Sequence, residues 1–157
     1  MTVRRAIVGD EELLATLNDF VQAIHLRDRP DHFRQTQLPA LAAWYKDVLQ
    51  KPSTRAWIAD DQGAAVGYVL AVVHHLPETP FTRPKDWLEI DQIAVDPNHR
   101  KRGVGRALVT KAIAEARAEG IGKVEAAAWC FNGDAQEMFR RLGFTPKAVR
   151  FELDERG

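Results

Sequence analysis

The sequence predicts a mixed α/β (α+β) fold in a single domain over residues 1–157, one central sheet with helices on both faces. Three observations carry that expectation. Apolar residues recur at helical spacing in four separate stretches, and β-branched, apolar runs lie between them. A hairpin signal with glycine in the turn joins two of those runs. Read in order, the elements run β-α-α-β-β-β-α-β-α-β, which places helices on both sides of a mixed sheet.

Val3–Val8 is rich enough in β-branched residues for a short strand. Asp10 then caps a helix whose Leu13, Leu17, Val21 and Ile24 recur at helical spacing. Pro30 disfavours helix at Arg29, so Arg27–Phe33 reads as loop. A second helix runs from Pro39 to Leu49, with Leu41, Trp44, Tyr45 and Val48 on its inner face. "TRAWIADDQGAAVGYVLAVV" is two strands joined at Asp61–Gly63. The three prolines of "HHLPETPFTRPK" make it an irregular surface loop. Trp87–Val95 is the next strand. Gly103–Glu119 is a helix with Val104, Leu108, Ala112 and Ala116 on one stripe, stopped by Gly120. A strand at Lys123–Trp129 precedes a helix carrying Ala135, Met138, Phe139 and Leu142, which Gly143 ends. "FTPKAVRFEL" closes the chain as one or two strands.

Twenty-two Lys and Arg balance 22 Asp and Glu, a net charge of zero, which argues against a general nucleic-acid binder. A single cysteine, Cys130, allows no internal disulfide and fits a reducing compartment. "MTVRRAIVGDEELL" has no long apolar run, so neither a signal peptide nor a membrane anchor is expected there. The expected setting is cytoplasmic, with no nucleic-acid and no membrane partner. His25, His32, His74 and His75 match no metal-ligand spacing, and no metal is expected.

Against that balance, "HRKRGVGRALV" gathers Arg100, Lys101, Arg102 and Arg106 around Gly103 and Gly105 with no acidic residue among them. A dinucleotide fingerprint would need a third small residue where Leu108 stands, directly after a strand; here seven residues, Asp96 to Arg102, follow Val95. No Gly-Lys-Ser/Thr follows, so a P-loop is absent as well. Two readings remain: a solvated basic loop, or a helix start whose free N–H groups, dipole and missing Cβ atoms receive a bulky anion.

From "LEIDQIAVDPNHRKRGVGRAL" onward the chain resembles the GNAT superfamily of acetyl-CoA-dependent N-acetyltransferases. That family's central motif is R/Q-x-x-G-x-G/A at a helix start, here Arg100-Lys101-Arg102-Gly103-Val104-Gly105. A second stretch, "WCFNGDAQEMFRRLGF", resembles its later motif, and the two lie in matching order over Trp87–Phe144. The resemblance implies a mostly antiparallel sheet, splayed between its fourth and fifth strands. It implies that the Gly103 turn, from Arg102 to Arg106, holds the pyrophosphate of coenzyme A. It also implies that the pantetheine arm pairs with the backbone of Ile93, Ala94 and Val95, and that the N–H of Ile93 or Ala94 polarises the thioester carbonyl.

The resemblance further implies transfer of an acetyl group to a primary amine by direct attack in a ternary complex. Glu89 stands where histone-type members carry the general base, fourteen residues before Gly103, and Asp91 shares its face by even spacing. Glu89 is the first choice and Asp91 the second; the plainer reading has both acids facing solvent or pairing with arginine. Where many members carry a tyrosine as general acid, this chain has Phe139, which the resemblance sets beside the cofactor but which packs rather than donates; Tyr68 is a speculative replacement. Asn132 is an N-cap and, by resemblance, a partner of the pantetheine arm. Cys130 reads as a buried, inert thiol.

For the acceptor, Asp28, Asp31 and Glu78 could attract a cationic amine, and Trp44, Trp57 and Trp87 could line a slot. The acceptor itself is not specified. A homodimer through the C-terminal strands follows from resemblance alone. The rival class is a non-catalytic acyl-CoA-binding or regulatory domain, which Phe139 keeps open.

Overall fold

The computed structural model describes all residues from 1 to 157. In chain order the elements are β1 (Thr2–Arg5), α1 (Glu11–Asp28), α2 (Leu38–Leu49), β2 (Thr54–Asp61), β3 (Ala64–Leu76) and β4 (Lys85–Val95). A 3-10 turn at Pro97–His99 leads to α3 (Val104–Ala118), β5 (Val124–Ala126) and α4 (Gly133–Arg141). The sheet order is β1-β2-β3-β4-β5, antiparallel throughout except for the parallel β4–β5 pair. None of the helices is long and apolar enough to cross a membrane.

Each face of the sheet has its own apolar core, so helices cover both faces as the sequence predicts. Leu108, Val109 and Ala112 of α3 and Phe139 of α4 pack on Trp57, Val69, Leu88 and Ile90. On the other face Leu14 of α1 and Tyr45 of α2 pack on Ile58, Tyr68 and Leu70. Burying side chains of this size contributes about 1.5–3 kcal/mol apiece. The β2–β3 hairpin turns on Gln62 and Gly63, both at positive φ (50° and 84°), as a two-residue turn of matching twist requires.

β4 positions the site, and it is not a regular strand. Leu88 and Ile90 face the α3 core, and so do Ile93 and Val95, whereas Ala94 faces the α1–α2 core. Even residues point to α3 before Asp91, and odd residues after it. The β3–β4 register records the same step: Ala71 opposes Ile90 and Leu70 opposes Gln92, leaving Asp91 as the residue added by a β-bulge. Beyond Ile90 the parallel pairing with β5 stops, so the two strands part.

Gly67 lies where β3 crosses beneath α3. A Cβ there would meet the carbonyl oxygen of Ala94 at 2.7 Å and Val104 Cγ1 at 3.2 Å. Backbone cannot yield as a flexible side chain does, so Gly67→Ala is expected to lower stability by about 1–3 kcal/mol. A lowered urea midpoint would be the sign; an unchanged one would mean that β3 and β4 separate freely here.

Several expectations need correction. The closing strand is absent, since residues 145–157 pair with no strand. Val149, Phe151 and Leu153 do alternate with Arg150, Glu152 and Asp154, but β5 is three residues long and offers almost no edge to pair with. β5 itself is shorter than Lys123–Trp129 because its partner bulges away. Asp10 stands at the N-cap of α1, its carbonyl accepting from Leu14 N at 2.9 Å, but its carboxylate caps no helix amide and instead takes two bonds from Arg4, both 2.9 Å, and one from Ile7 N. Trp44 is 44% exposed, and Ala42 takes the inward place on α2.

Candidate active site

Three backbone and side-chain features meet around the parted strands. The first is the start of α3. Gly103 adopts the left-handed conformation (φ 85°) and ends the basic loop; Ala107 N is the first to bond back, to Gly103 O at 2.9 Å. The N–H groups from Arg102 to Arg106 therefore donate to no protein acceptor, as a helix start leaves them. Lys101, Arg102 and Arg106 pair with no carboxylate and are exposed, while Arg100 Nε reaches Val95 O at 3.4 Å. Five free amides, a dipole end and three unpaired cations make a strong site for a multiply charged anion. Gly105 also makes room for α4, since a Cβ there would meet Met138 Sδ at 2.7 Å. Val104 is buried in the α3 core.

The second feature is the open edge of β4. Asp96 N donates to Val66 O at 2.8 Å, which fixes the phase of the antiparallel ladder. Bonding to β3 then alternates through Ala94 and Gln92, so Ile93 and Val95 turn their N–H and C=O groups toward the gap. Of the two amides expected to polarise a carbonyl, Ile93 is thus the available one, and Ala94 is committed to β3. The first turn of α3 adjoins this edge: Ile93 Cδ1 and Val95 Cγ2 lie 3.9 and 3.8 Å from where a Gly105 Cβ would be.

The third feature is a charged floor on the opposite face of β4 from α3. Since Leu88 and Ile90 face α3, Glu89 faces the other way. Trp87 Nε1 donates to Glu89 Oε2 at 3.2 Å, and His74 Nε2 lies 3.4 Å from the same oxygen. His74 stands opposite Trp87 in the β3–β4 register and stacks on it, ring centroids 4.9 Å apart. Glu89 keeps a third of its side chain open to solvent (33%). Partial burial and the Glu89 carboxylate push Asp91 above the usual carboxylate range, with His74 pulling the other way; solvent still reaches Asp91. The even-spacing argument for a shared face ends at the bulge, yet the two carboxylates still feel each other. Glu125, opposite Glu89 on β5, accepts from Lys85 and from Lys147.

Other expected residues are placed as follows. Asn132 caps α4, its Oδ1 accepting from Ala135 N at 3.1 Å. Phe139 is buried against Phe144 in the α3 core. Cys130 is exposed, not buried, because it follows β5 in a loop without a strand partner. Tyr68 cannot serve as a donor to a thiolate. Its hydroxyl is locked among Asn18 Nδ2 (2.9 Å), Tyr45 (2.8 Å) and Gln92 Oε1 (2.8 Å), and burial pushes its pKa up to about 12. The tryptophans line no common slot: Trp57 is core, Trp44 is on the surface, and Trp87 stacks on His74. Asp28 and Asp31 are paired to Arg27 and Arg29, and Glu78 is exposed on the β3–β4 loop.

Sequence reading missed His74, which it weighed only as a metal ligand, and Gln92. Hairpin register was the signal for His74, because it sets that residue against Trp87. A ring cluster of His25, His32 and Phe33 on Trp129 and Phe131 also escaped notice. It ties the α1–α2 loop to the segment after β5.

A model described as the acetyltransferase (GNAT) family matches residues 18–144. An uncharacterised N-acetyltransferase of Methanocaldococcus jannaschii is 33% identical over 109 residues, 69% of this chain and 47% of that protein. This chain thus spans about half the length, or less, of the curated relatives it matches. Among solved structures, a mutant of a Bacillus halodurans protein superposes with TM-score 0.92 at 23% identity, covering 98% of this chain and 99% of that one. An aminoglycoside N-acetyltransferase in complex with CoA gives TM-score 0.74 at 22% identity, covering 98% and 94%. At such identities the two structures establish the shared fold.

Proposed function

Because the chain belongs to the acetyltransferase (GNAT) family, we propose that it transfers the acetyl group of acetyl-CoA to a primary amine, by direct attack in a ternary complex. The observation that carries this reading is the α3 start. Five consecutive unpartnered amides, from Arg102 to Arg106, lie beside the open edge of β4. Acetyl-CoA would supply an activated thioester. Arg102, Gly103, Val104, Gly105 and Arg106 would hold its pyrophosphate through backbone N–H groups, and Arg100 and Lys101 would add charge. Ile93 and Val95 would bond the pantetheine arm, the Ile93 N–H taking the developing oxyanion. Asn132 has its Nδ2 free to join them. Glu89 would accept the amine proton, with Asp91 as the second choice.

Phe139 offers no proton, so the leaving thiolate would take one from water or from the attacking nitrogen; at a pKa of about 8.5 it is a tolerable leaving group. The non-catalytic reading, a domain that binds acyl-CoA without turnover, shares the cofactor site and rests on Phe139, which offers the leaving thiolate no proton. A homodimer through the C-terminal segment belongs to the same proposal. That segment leaves Val149, Phe151 and Leu153 exposed, and its Lys147 reaches β5 at Glu125. A single domain, acting in the cytoplasm, completes the reading.

Thermal unfolding with and without acetyl-CoA tests the cofactor site. At about a hundred times its dissociation constant the ligand should stabilise the fold by roughly 2.7 kcal/mol, a shift of several degrees. Arg102→Glu combined with Arg106→Glu is the control of choice, since both side chains are exposed, whereas a change at Gly105 would disturb α4. A shift that the control loses supports the site. No shift in the folded wild type would return the basic loop to a solvated turn.

A further inference from the structure

We propose that His74 is a positioning and proton-relay residue, taking from Glu89 the proton that the acceptor amine gives up and passing it to solvent. This inference rests on the acetyltransferase reading above and adds a residue to it.

Four features of the floor support it. His74 Nε2 is 3.4 Å from Glu89 Oε2, a distance that a small shift of either side chain closes to a hydrogen bond. Trp87 holds both partners at once, its indole N–H bonding Glu89 Oε2 at 3.2 Å and its ring stacking on the imidazole with planes 17° apart. The imidazole is 41% exposed and the carboxylate 33%, so the proton has a short way out through His74 to water. The sheet fixes all three, because His74 and Trp87 are a cross-strand pair and Glu89 is two residues along the same strand. Trp87 Nε1 and His74 Nε2 point at one oxygen of Glu89, leaving the other for the amine.

The surrounding charges divide evenly. Asp91 on β4 and Glu125 on β5 are the neighbouring anions, Lys85 and Lys147 the cations; Lys85 lies 4.5 Å over the Trp87 ring, and both lysines are engaged by Glu125. On β3, His75 is occupied with Asp86 at 2.7 Å. On α1, His25 lies against the rings of Phe33 and Phe131. His74 is therefore the one imidazole in contact with Glu89.

The step balances. An alkylammonium first gives one proton to Glu89, which hands it to His74 and thence to water. The neutral amine then forms its bond to the acetyl carbon while the C–S bond breaks. The second nitrogen proton ends on the departing thiolate sulfur. One proton is released to solvent per amide formed.

The test is steady-state thiol release from acetyl-CoA by the wild type, His74→Ala, His74→Gln and Glu89→Gln. Spermidine, kanamycin and an alanine-initiated peptide serve as acceptors, and water is the acceptor in a fourth assay. Free imidazole is titrated into each. Both His74 variants should lose about tenfold to a hundredfold in kcat with KM for acetyl-CoA unchanged. Imidazole should restore His74→Ala in proportion to its concentration, entering the space over Trp87, and should not restore Glu89→Gln. Wild-type rates in the His74 variants, or a loss that imidazole leaves untouched in a protein of unchanged melting temperature, would overturn the relay while the acetyltransferase reading stands. No thiol release by wild type in any assay, with acetyl-CoA shown to bind, would overturn both.

Discussion

Glu89→Gln is expected to lower kcat by about 10²–10⁴-fold while leaving the affinity for acetyl-CoA as it was. A lysine-like amine has a pKa of about 10.4, over three units above neutrality, so its free base lies roughly 4–5 kcal/mol uphill. A carboxylate that receives the proton in place recovers much of that. Glutamine keeps the size of the side chain and can still accept from the Trp87 indole, so the fold should not change. Glu89 lies on the face of β4 away from α3 and contacts Trp87 and His74 rather than the free amides, which is why binding of the cofactor should survive. Asp91→Asn should have a smaller effect, since the bulge gives Asp91 its own direction. The two carboxylates are coupled, and the sign of the coupling is testable. The Glu89 charge helps to hold Asp91 high, so in Glu89→Gln the Asp91 carboxyl ionises at lower pH. Any residual rate that depends on ionised Asp91 should then extend further toward acid. The measurement is thiol release from about pH 6 to about pH 9 beside calorimetric titration with acetyl-CoA. Full activity of Glu89→Gln over that range would transfer the base role away from Glu89.

Asn132 and the hairpin turn at Asp61–Gly63 were legible because each is a local feature, a cap or a turn set within a few residues. The bulge in β4 was written in "WLEIDQIAV" but was not read there. The large aliphatic residues fall at 88 and 90 and then at 93 and 95, a break in the period of two that the added residue Asp91 accounts for. The last strand failed for the opposite reason. Val149, Phe151 and Leu153 satisfy the pattern, and a pattern says nothing of whether a neighbouring edge exists. The contact of His74 with Glu89 depends on hairpin register, and the bonds of Tyr68 depend on two helices, so neither follows from local spacing.

Gln92→Leu is the second large effect expected, a loss of about 1–3 kcal/mol of stability together with a fall in kcat. Tyr45 and Tyr68 are fully buried, and their hydroxyls lie 2.7 and 2.8 Å from Gln92 Oε1 and 2.8 Å from each other. Two hydroxyl hydrogens serve these three contacts, while Asn18 donates its own to Tyr68. One tyrosine can donate to the other, but the second hydrogen has only Gln92 to go to. Leucine there leaves a buried donor unmet, the expensive half of any hydrogen bond. The consequence for activity comes from position. Gln92 lies between the added residue Asp91 and the amide of Ile93, and its side chain is what the bulge turns into the α1–α2 core. Without that anchor the strand is free to revert to regular pairing, which would turn Ile93 and Val95 away from the gap. Adding Tyr45→Phe and Tyr68→Phe, together with Asn18→Leu because the buried Asn18 amide would otherwise lose the Tyr68 oxygen it donates to, removes the stranded polar groups and should restore part of the stability, yet not the rate, because the anchor stays absent. Recovery of both together would show that the hydroxyls alone matter, and the bulge would then need another cause. An unchanged urea midpoint in Gln92→Leu would mean that water reaches the tyrosines and that this network does not hold β4 in place.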